Sequence, residues 1–512
     1  MSDSFTQTQQ YPVGIAKAMI IISVMLVAII EVLDMTIVNV ALPPMMGELG
    51  ANSDQITWVL TSYVVSSAIL MPLTGFIVTR IGQKRLLLIN VIGFMITSAL
   101  CGASTSLTEI VLFRTLQGIF GASLVPLSQF ILRDTFPLKD QGKAMAIWGM
   151  GIMVAPVLGP SVGGYITEFS SWRWVFYINL PVCLLAAVLI VQVIQESATR
   201  KIPIDITSVF LMALGIGALQ IFLDRGNQSD WFQSHTILLL AAISFVCLGL
   251  FVHRGMVVKN SIINFAIFKD RNFCVSTIIL LLYVLGVMAV LTLRPMMMEH
   301  LMGYTALNAG MVLAPPGFSA ALSMILAGIF MNRVNPKWML LAGILITIWA
   351  TYSMATDTSL SISSGWLIFQ GCIQGFGMGL VFLIVSTLSL STLKPALMAE
   401  GAGVFGFGRN LGISIGISIL STVLSRETQA NWNQLGGHMI PGSRNLQYWL
   451  QAHHQTLMQP DTLSQLSQSL ANQANMIAFT DCYFSIAVGL LALIPLVFLL
   501  KPPKELHAGA GH

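Results

Sequence analysis

Fourteen runs of about twenty apolar residues recur along the chain, and that recurrence decides what it can fold into. They lie near 18–42, 56–78, 85–104, 109–132, 144–167, 174–194, 204–224, 235–253, 273–296, 308–331, 337–356, 365–390, 403–425 and 478–500. Each is long enough to cross a bilayer as a helix. In lipid every backbone N–H and C=O must be satisfied within the protein, so a run of this kind is read as helical. Only 9% of residues are charged, against about 25% in soluble domains, which excludes a soluble globular class. The fold class is therefore an all-α polytopic membrane protein. The first run is too long for a signal-peptide core and no small-residue cleavage site closes it, so it reads as a retained span.

Basic residues orient the spans. With the N-terminus in the cytoplasm, the inner loops and termini hold 18 of the 25 Lys and Arg. The outer loops hold five: Arg173, Arg225, Arg294, Arg426 and Arg444. Arg114 and Arg409 fall within spans. Every inner loop follows the positive-inside rule, and removing one span would invert half the chain and destroy the pattern. Both termini are expected in the cytoplasm.

An internal repeat divides the chain. Gly75, Arg80 and Lys84, after the second span, recur as Gly328, Arg333 and Lys337 after the tenth, at a spacing of 253. The same spacing carries Gln117-Gly118 onto Gln370-Gly371, Leu158-Gly159 onto Leu411-Gly412, Ser161 onto Ser414 and Gly163 onto Gly416. Eight spans separate the copies, so both have the same orientation, as in two-bundle transporters with parallel repeats. The expected organisation is a six-helix bundle over 1–197, two inserted spans over 198–258 and a second six-helix bundle over 259–512, with a long polar outer loop at 426–474.

Two acids interrupt the first span. Glu31 and Asp34 stand three residues apart and so share a helix face. An acid at a helix centre costs roughly 2.5–3.5 kcal/mol to insert, which marks intramembrane acids as functional by default. Arg114, in the fourth span, lies at a similar depth. The three form a candidate proton-coupling site, because a nearby arginine changes how readily a buried acid holds a proton. A fixed ion pair between spans 1 and 4 is the plainer alternative. At the spacing of 253, Glu31 falls on Val284, Asp34 on Val287 and Arg114 on Leu367, so the second half carries no charge at these positions.

Gly159-Pro160 and Gly163-Gly164 in the fifth span allow close helix approach and a bend, and they are candidate hinge residues together with Gly75, Arg80 and Gly82. The partners of these glycines in the thirteenth span lack the proline, so that span should be straighter. Arg409 has three open readings: a pair with Asp481, a contact to an anionic substrate group, or a side chain facing the inner vestibule. Gln117 and Asn39 complete the polar candidates. The six cysteines read as small hydrophobes, and His453-His454 as solvated loop residues.

These motifs together resemble the major facilitator superfamily, and within it the fourteen-span drug:proton antiporters, most of all EmrB-type efflux pumps of Gram-negative inner membranes. Leu33-Asp34-Met35-Thr36 through Pro43 resembles that group's first-helix signature, Gly75 to Arg85 its inner-loop motif, Leu112 to Gly118 its fourth-helix motif and Gly159 to Gly164 its antiporter motif. Trp172 to Pro181 and Leu223-Asp224-Arg225-Gly226 extend the likeness over the whole chain. Two departures stand out. Thr79 occupies the place of the inner-loop aspartate, and Glu31 stands where EmrB-like proteins tend to carry glutamine.

The resemblance implies export of hydrophobic drug-like compounds across a bacterial inner membrane by alternating access. A proton gradient would be the energy source, with no cofactor. It also implies a periplasmic adaptor and an outer-membrane channel as partners, with 426–474 as the candidate docking surface. Export or uniport of a physiological lipid or fatty acid, with the acids purely structural, is the alternative. No metalloprotease, P-loop, nucleophile-elbow or cofactor motif points to an enzyme, and nothing points to nucleic acid.

Overall fold

A computed structural model describes residues 14–200, 203–258, 262–331, 333–394, 397–439, 442–452 and 460–501. These residues are helical or connecting, with no strand among them. Thirteen helices are long and apolar enough to cross a membrane, and a bent pair supplies a fourteenth. In chain order they are α1 (Ile15–Glu48), α2 (Asp54–Ile81), α3 (Gln83–Ala103), α4 (Leu107–Thr135), α5 (Asp140–Pro156 with Leu158–Phe169), α6 (Trp174–Val193), α7 (Ile206–Arg225), α8 (His235–Val257), α9 (Arg271–His300), α10 (Asn308–Phe330), α11 (Pro336–Asp357), α12 (Ser364–Ser391), α13 (Met398–Gly437) and α14 (Asp461–Leu499). Side-chain caps start several of them. The Ser106, Asp270 and Ser363 side chains accept from the N–H groups of Glu109, Phe273 and Trp366 at the heads of α4, α9 and α12.

The break in α5 turns the chain by 41° between Pro156 and Gly159-Pro160, where prolines remove two backbone donors. No such break divides α13, which runs for 40 residues. Each helix carries its glycines against the first helix of its own bundle. A methyl at Gly159 would meet Thr36 and Ile37 of α1, and one at Gly412 or Gly416 would meet the backbone of Leu281 or Leu285 of α9. The two copies thus pack alike. The spacing of 253 would place Ala289 and Val290 there, however, so the contact of α13 falls five to nine residues nearer the head of α9 than the contact of α5 falls on α1.

A second correction concerns Arg294. The sequence suggests an outer loop there, just before Pro295. Instead α9 continues through Pro295 to His300 because Met297 and Met298 extend its buried face, and Arg294 lies inside the helix with 1% of its surface exposed.

The stretch 426–474 also differs from the expected loop. Where described, it consists of helical extensions of α13 and α14 and a short helix at Arg444–Ala452. Leu466, Leu470 and Ala474, spaced four apart, are buried on the α14 extension, and Thr428 donates to Asn475 between the two extensions at 3.2 Å. His453-His454 lie outside the described residues.

The bundles meet closely at the end that carries the basic loops. Arg133 of α4 donates to the Thr387 carbonyl of α12 at 2.6 Å, and Gln129 to that of Ser386 at 3.4 Å. Gly75 of α2 lies against the backbone of Glu400 in α13, with no room for a side chain. α7 joins the two bundles from the side. Asp224 accepts from Thr61 of α2, while Gln220 donates to Ser414 of α13 at 2.6 Å and Leu223 accepts from Ser418 at 2.6 Å. α8 is peripheral: only 22% of its apolar stretch is buried, and Phe245 is 82% exposed.

Candidate functional site

The first bundle encloses a charge cluster. Asp34 of α1 and Arg114 of α4 are 0% and 1% exposed. Arg114 Nη1 donates to Asp34 Oδ2 at 2.5 Å and to Gln117 Oε1 at 2.8 Å, and Nε donates to the Val59 carbonyl of α2 at 3.1 Å. The other carboxylate oxygen of Asp34 accepts from Gln117 Nε2 at 3.1 Å and from Asn179 Nδ2 of α6 at 2.8 Å. The Tyr63 ring lies 4.3 Å from the guanidinium carbon, adding a cation–π contact. Four helices therefore converge on one ion pair, and three donors saturate the carboxylate. An ion pair buried this way persists only when its remaining polar atoms are satisfied, and here they are.

Glu31 sits one turn earlier on α1, is 0% exposed, and is treated differently. Neither carboxylate oxygen has a partner in hydrogen-bond geometry among the described residues, and the nearest donor is the Val125 N–H of α4. The opposite charge that acts on it is Arg409, which belongs to α13 of the other bundle and is half-buried. Among the described residues, Glu31 is the only carboxylate that acts on Arg409. The pair is not in ion-pair contact; the one hydrogen bond of Arg409 among the described residues reaches its neighbour Asn410 at 3.4 Å. Of the three readings of Arg409, the pair with Asp481 is not formed, and Asp481 is exposed.

The cluster gathers Asp34, Arg114 and Gln117, with Glu31 adjacent. Asn39 lies outside it, exposed, with its amide donating to the Met35 carbonyl at 3.2 Å. The glycines occupy helix contacts. Gly159 and Gly163 touch α1 just beyond the acids, while Gly164 is looser, its nearest neighbour being Val40 at 4.0 Å. Pro160 lies in the second arm of α5. Arg80 is in the last turn of α2, ahead of Gly82, whose φ of 91° and closeness to the Glu196 carboxylate admit only glycine. Asn179 falls within the Trp172 to Pro181 stretch of resemblance without being a candidate site residue, and Tyr63 falls in none of the motifs.

The sequence pattern of the Major Facilitator Superfamily matches residues 24–417. The chain belongs to this superfamily. It is 36% identical to the "Fatty acid resistance protein FarB" of Neisseria gonorrhoeae over 97% of this chain and 98% of that one. It is 32% identical to the "Multidrug export protein EmrB" of Escherichia coli K12, over 98% and 99%. The human organic anion transporter MFSD10 shares the fold at a TM-score of 0.62 and 13% identity, covering 94% of this chain and 99% of that chain. As a superfamily member the chain is a multi-pass membrane transporter, not an enzyme. The cluster above is the one place among the described residues where such a transporter holds a buried carboxylate pair.

Proposed function

We propose that the protein is a proton-driven exporter of hydrophobic or amphiphilic compounds that works by alternating access in a bacterial inner membrane, with the basic end and both termini in the cytoplasm. The names of the bacterial relatives, multidrug export and fatty acid resistance, support the substrate class. The observation that carries proton coupling is the contrast between the two acids. Asp34 would have to surrender three side-chain hydrogen bonds to take a proton, whereas Glu31 has no side-chain donor among the described residues and only the Val125 N–H near it. Proton exchange begins at Glu31, and Asp34 with Arg114 transmits its state to α2, α4 and α6. Because Glu31 faces Arg409 across the bundles, its charge also biases how the bundles close. Linkage needs such a differential interaction. The bend in α5 and the close contacts of Gly75 and Gly159 are where that motion is accommodated, and the helical extension beyond residue 426 is the surface offered to an adaptor.

The test is drug-induced proton movement in proteoliposomes of wild type, Glu31→Gln, Asp34→Asn and Arg114→Ala. The expected result is loss of proton movement in Glu31→Gln with substrate binding retained. Unchanged coupling in both acid variants would sink the reading.

A second reading, export of long-chain carboxylates, is favoured by Arg409. It is a half-buried cation without a carboxylate in ion-pair contact among the described residues, suited to an anionic headgroup. Arg409→Gln should then lose protection against fatty acids while keeping protection against uncharged drugs. Equal loss of both would count against it.

A further inference from the structure

The second bundle contains its own buried arginine, and this one has no acid. Arg294 of α9 is 1% exposed, and Nη2 donates to Gln374 Oε1 of α12 at 2.6 Å. Its Nε–H has no partner among the described residues. Gln374 is 2% exposed, and its own amide nitrogen has no partner either. The amide cannot be turned round to cure this, because the arginine needs an acceptor and offers none. Tyr483 of α14 is fully buried with its hydroxyl unpaired, and its phenol lies close enough to act electrostatically on the guanidinium. No carboxylate among the described residues is in ion-pair contact with Arg294 or acts on it.

One uncompensated cation is thus buried beside an unpaired amide nitrogen, with an unpaired phenol acting on it from the apolar cluster of Leu293, Met297, Leu367 and Phe479 to which Tyr483 belongs. Water molecules could satisfy the N–H and O–H groups but not the charge. A buried charge left without a partner is strongly destabilising, so a stable fold calls for a counter-ion here. The space is small. Gly371, from the repeated Gln-Gly pair, lies so close that a methyl on it would stand 2.8 Å from Arg294 Nη1.

We propose that the second bundle holds an anion-binding site formed by Arg294 Nε, Gln374 Nε2 and Tyr483 Oη, which takes one compact monovalent anionic group, a halide or a carboxylate. The anion supplies to Arg294 what Asp34 supplies to Arg114. The inference does not depend on what the protein exports. The group can arrive as a free ion or as the headgroup of an amphiphile.

The experiment is thermal unfolding of the purified full-length protein in neutral detergent. Ionic strength is held with a bulky sulfonate while chloride, formate or submicellar decanoate is titrated in, and decanol serves as the uncharged control. Wild type should show a saturable rise in midpoint. Arg294→Met should lose it, and Tyr483→Phe should need about tenfold more anion for half the effect. A response to chloride or formate identifies a free ion; a response to decanoate alone, without decanol, identifies a headgroup. The site is overturned if no anion exceeds the sulfonate in wild type, or if Arg294→Met responds as wild type does. Should Arg294→Met fail to fold, Tyr483→Phe decides, and an unshifted titration there overturns the proposal.

Discussion

The two bundles solve the same problem in different ways. Each buries an arginine between its first and fourth helices, with the guanidinium level with the repeated Gln-Gly pair of the fourth helix. In the first bundle Asp34 neutralises Arg114, and Gln117, Asn179 and Val59 satisfy the remaining groups. In the second, Arg294 has a single neutral acceptor among the described residues. The difference teaches that the repeat conserves packing and not charge balance. One half is electrically complete, with a spare acid beside it, while the other is completed from outside. The halves share the work, though not because the second lacks charge: its charge is of one sign.

The sharpest way to break this comparison is to unbalance the first bundle. Asp34→Leu leaves Arg114 buried and unpaired and should cost about 3–5 kcal/mol in denaturant or thermal unfolding. The double variant Asp34→Leu/Arg114→Leu removes both charges and should recover most of that loss without recovering proton-linked transport. A single variant as stable as the double would mean that Arg114 draws its balance from elsewhere, and the contrast with Arg294 would collapse.

Next in size is the packing of the first helices. Alanine at Gly159 or Gly412 overfills a helix contact, at a cost of about 1–3 kcal/mol. At Gly412 the added methyl would lie 2.6 Å from the Leu281 carbonyl oxygen, a backbone atom in an unbroken pair of helices. At Gly159 it meets the Thr36 side chain, and α5 is already bent beside it. Gly412→Ala should therefore destabilise more than Gly159→Ala, whereas Gly159→Ala should slow transport more. The reverse order in unfolding would argue that α1 and α5 form the stiffer pair.

A smaller change would make the second bundle resemble the first. Gln374→Glu places a carboxylate on an atom already 2.6 Å from Arg294. A hydrogen bond to a charged group contributes about 1.5–3 kcal/mol, so this variant should unfold later than wild type and lose its response to added anions. Destabilisation by the same change would indicate that Arg294 is already balanced.

What was legible in the sequence follows from what a membrane forbids. Apolar runs of spanning length, basic residues on one side, and acids inside a span are too costly to arise casually, and so the fourteen spans stood out, as did the meeting of Asp34 with Arg114. Arg294 was hidden because its neighbour Pro295 imitates a helix end. Asn179 lay within the stretch Trp172 to Pro181, but nothing in that stretch encodes that its amide reaches Asp34. The helical extensions beyond residue 426 were obscured by their Gln, Asn and Ser content, although Leu466, Leu470 and Ala474 keep a four-residue period. The distance from Glu31 to the other bundle's Arg409 was not available at all, since nothing in either span encodes how two bundles face each other.

The smallest effect sets the scale for the others. Arg254 at the end of α8 donates to both oxygens of Asp205 at the head of α7, at 2.9 and 3.0 Å, the same arginine–carboxylate chemistry as at Asp34 but beside water. These hydrogen bonds hold the Asp205 carboxyl well below the usual carboxylate range. The folded value is depressed, so the stabilisation is complete above the unfolded value of about 3.9 and is lost as pH falls from there through the folded value. Exposed pairs contribute little because solvent and salt screen them. Asp205→Asn should therefore lower the unfolding midpoint only slightly at neutral pH, with the gap to wild type closing below about pH 4. Added salt should narrow that gap further, while the much larger loss in Asp34→Leu should be insensitive to salt. If both pairs responded to salt alike, the first bundle's ion pair would be reached by water, and its charge balance would not be internal after all.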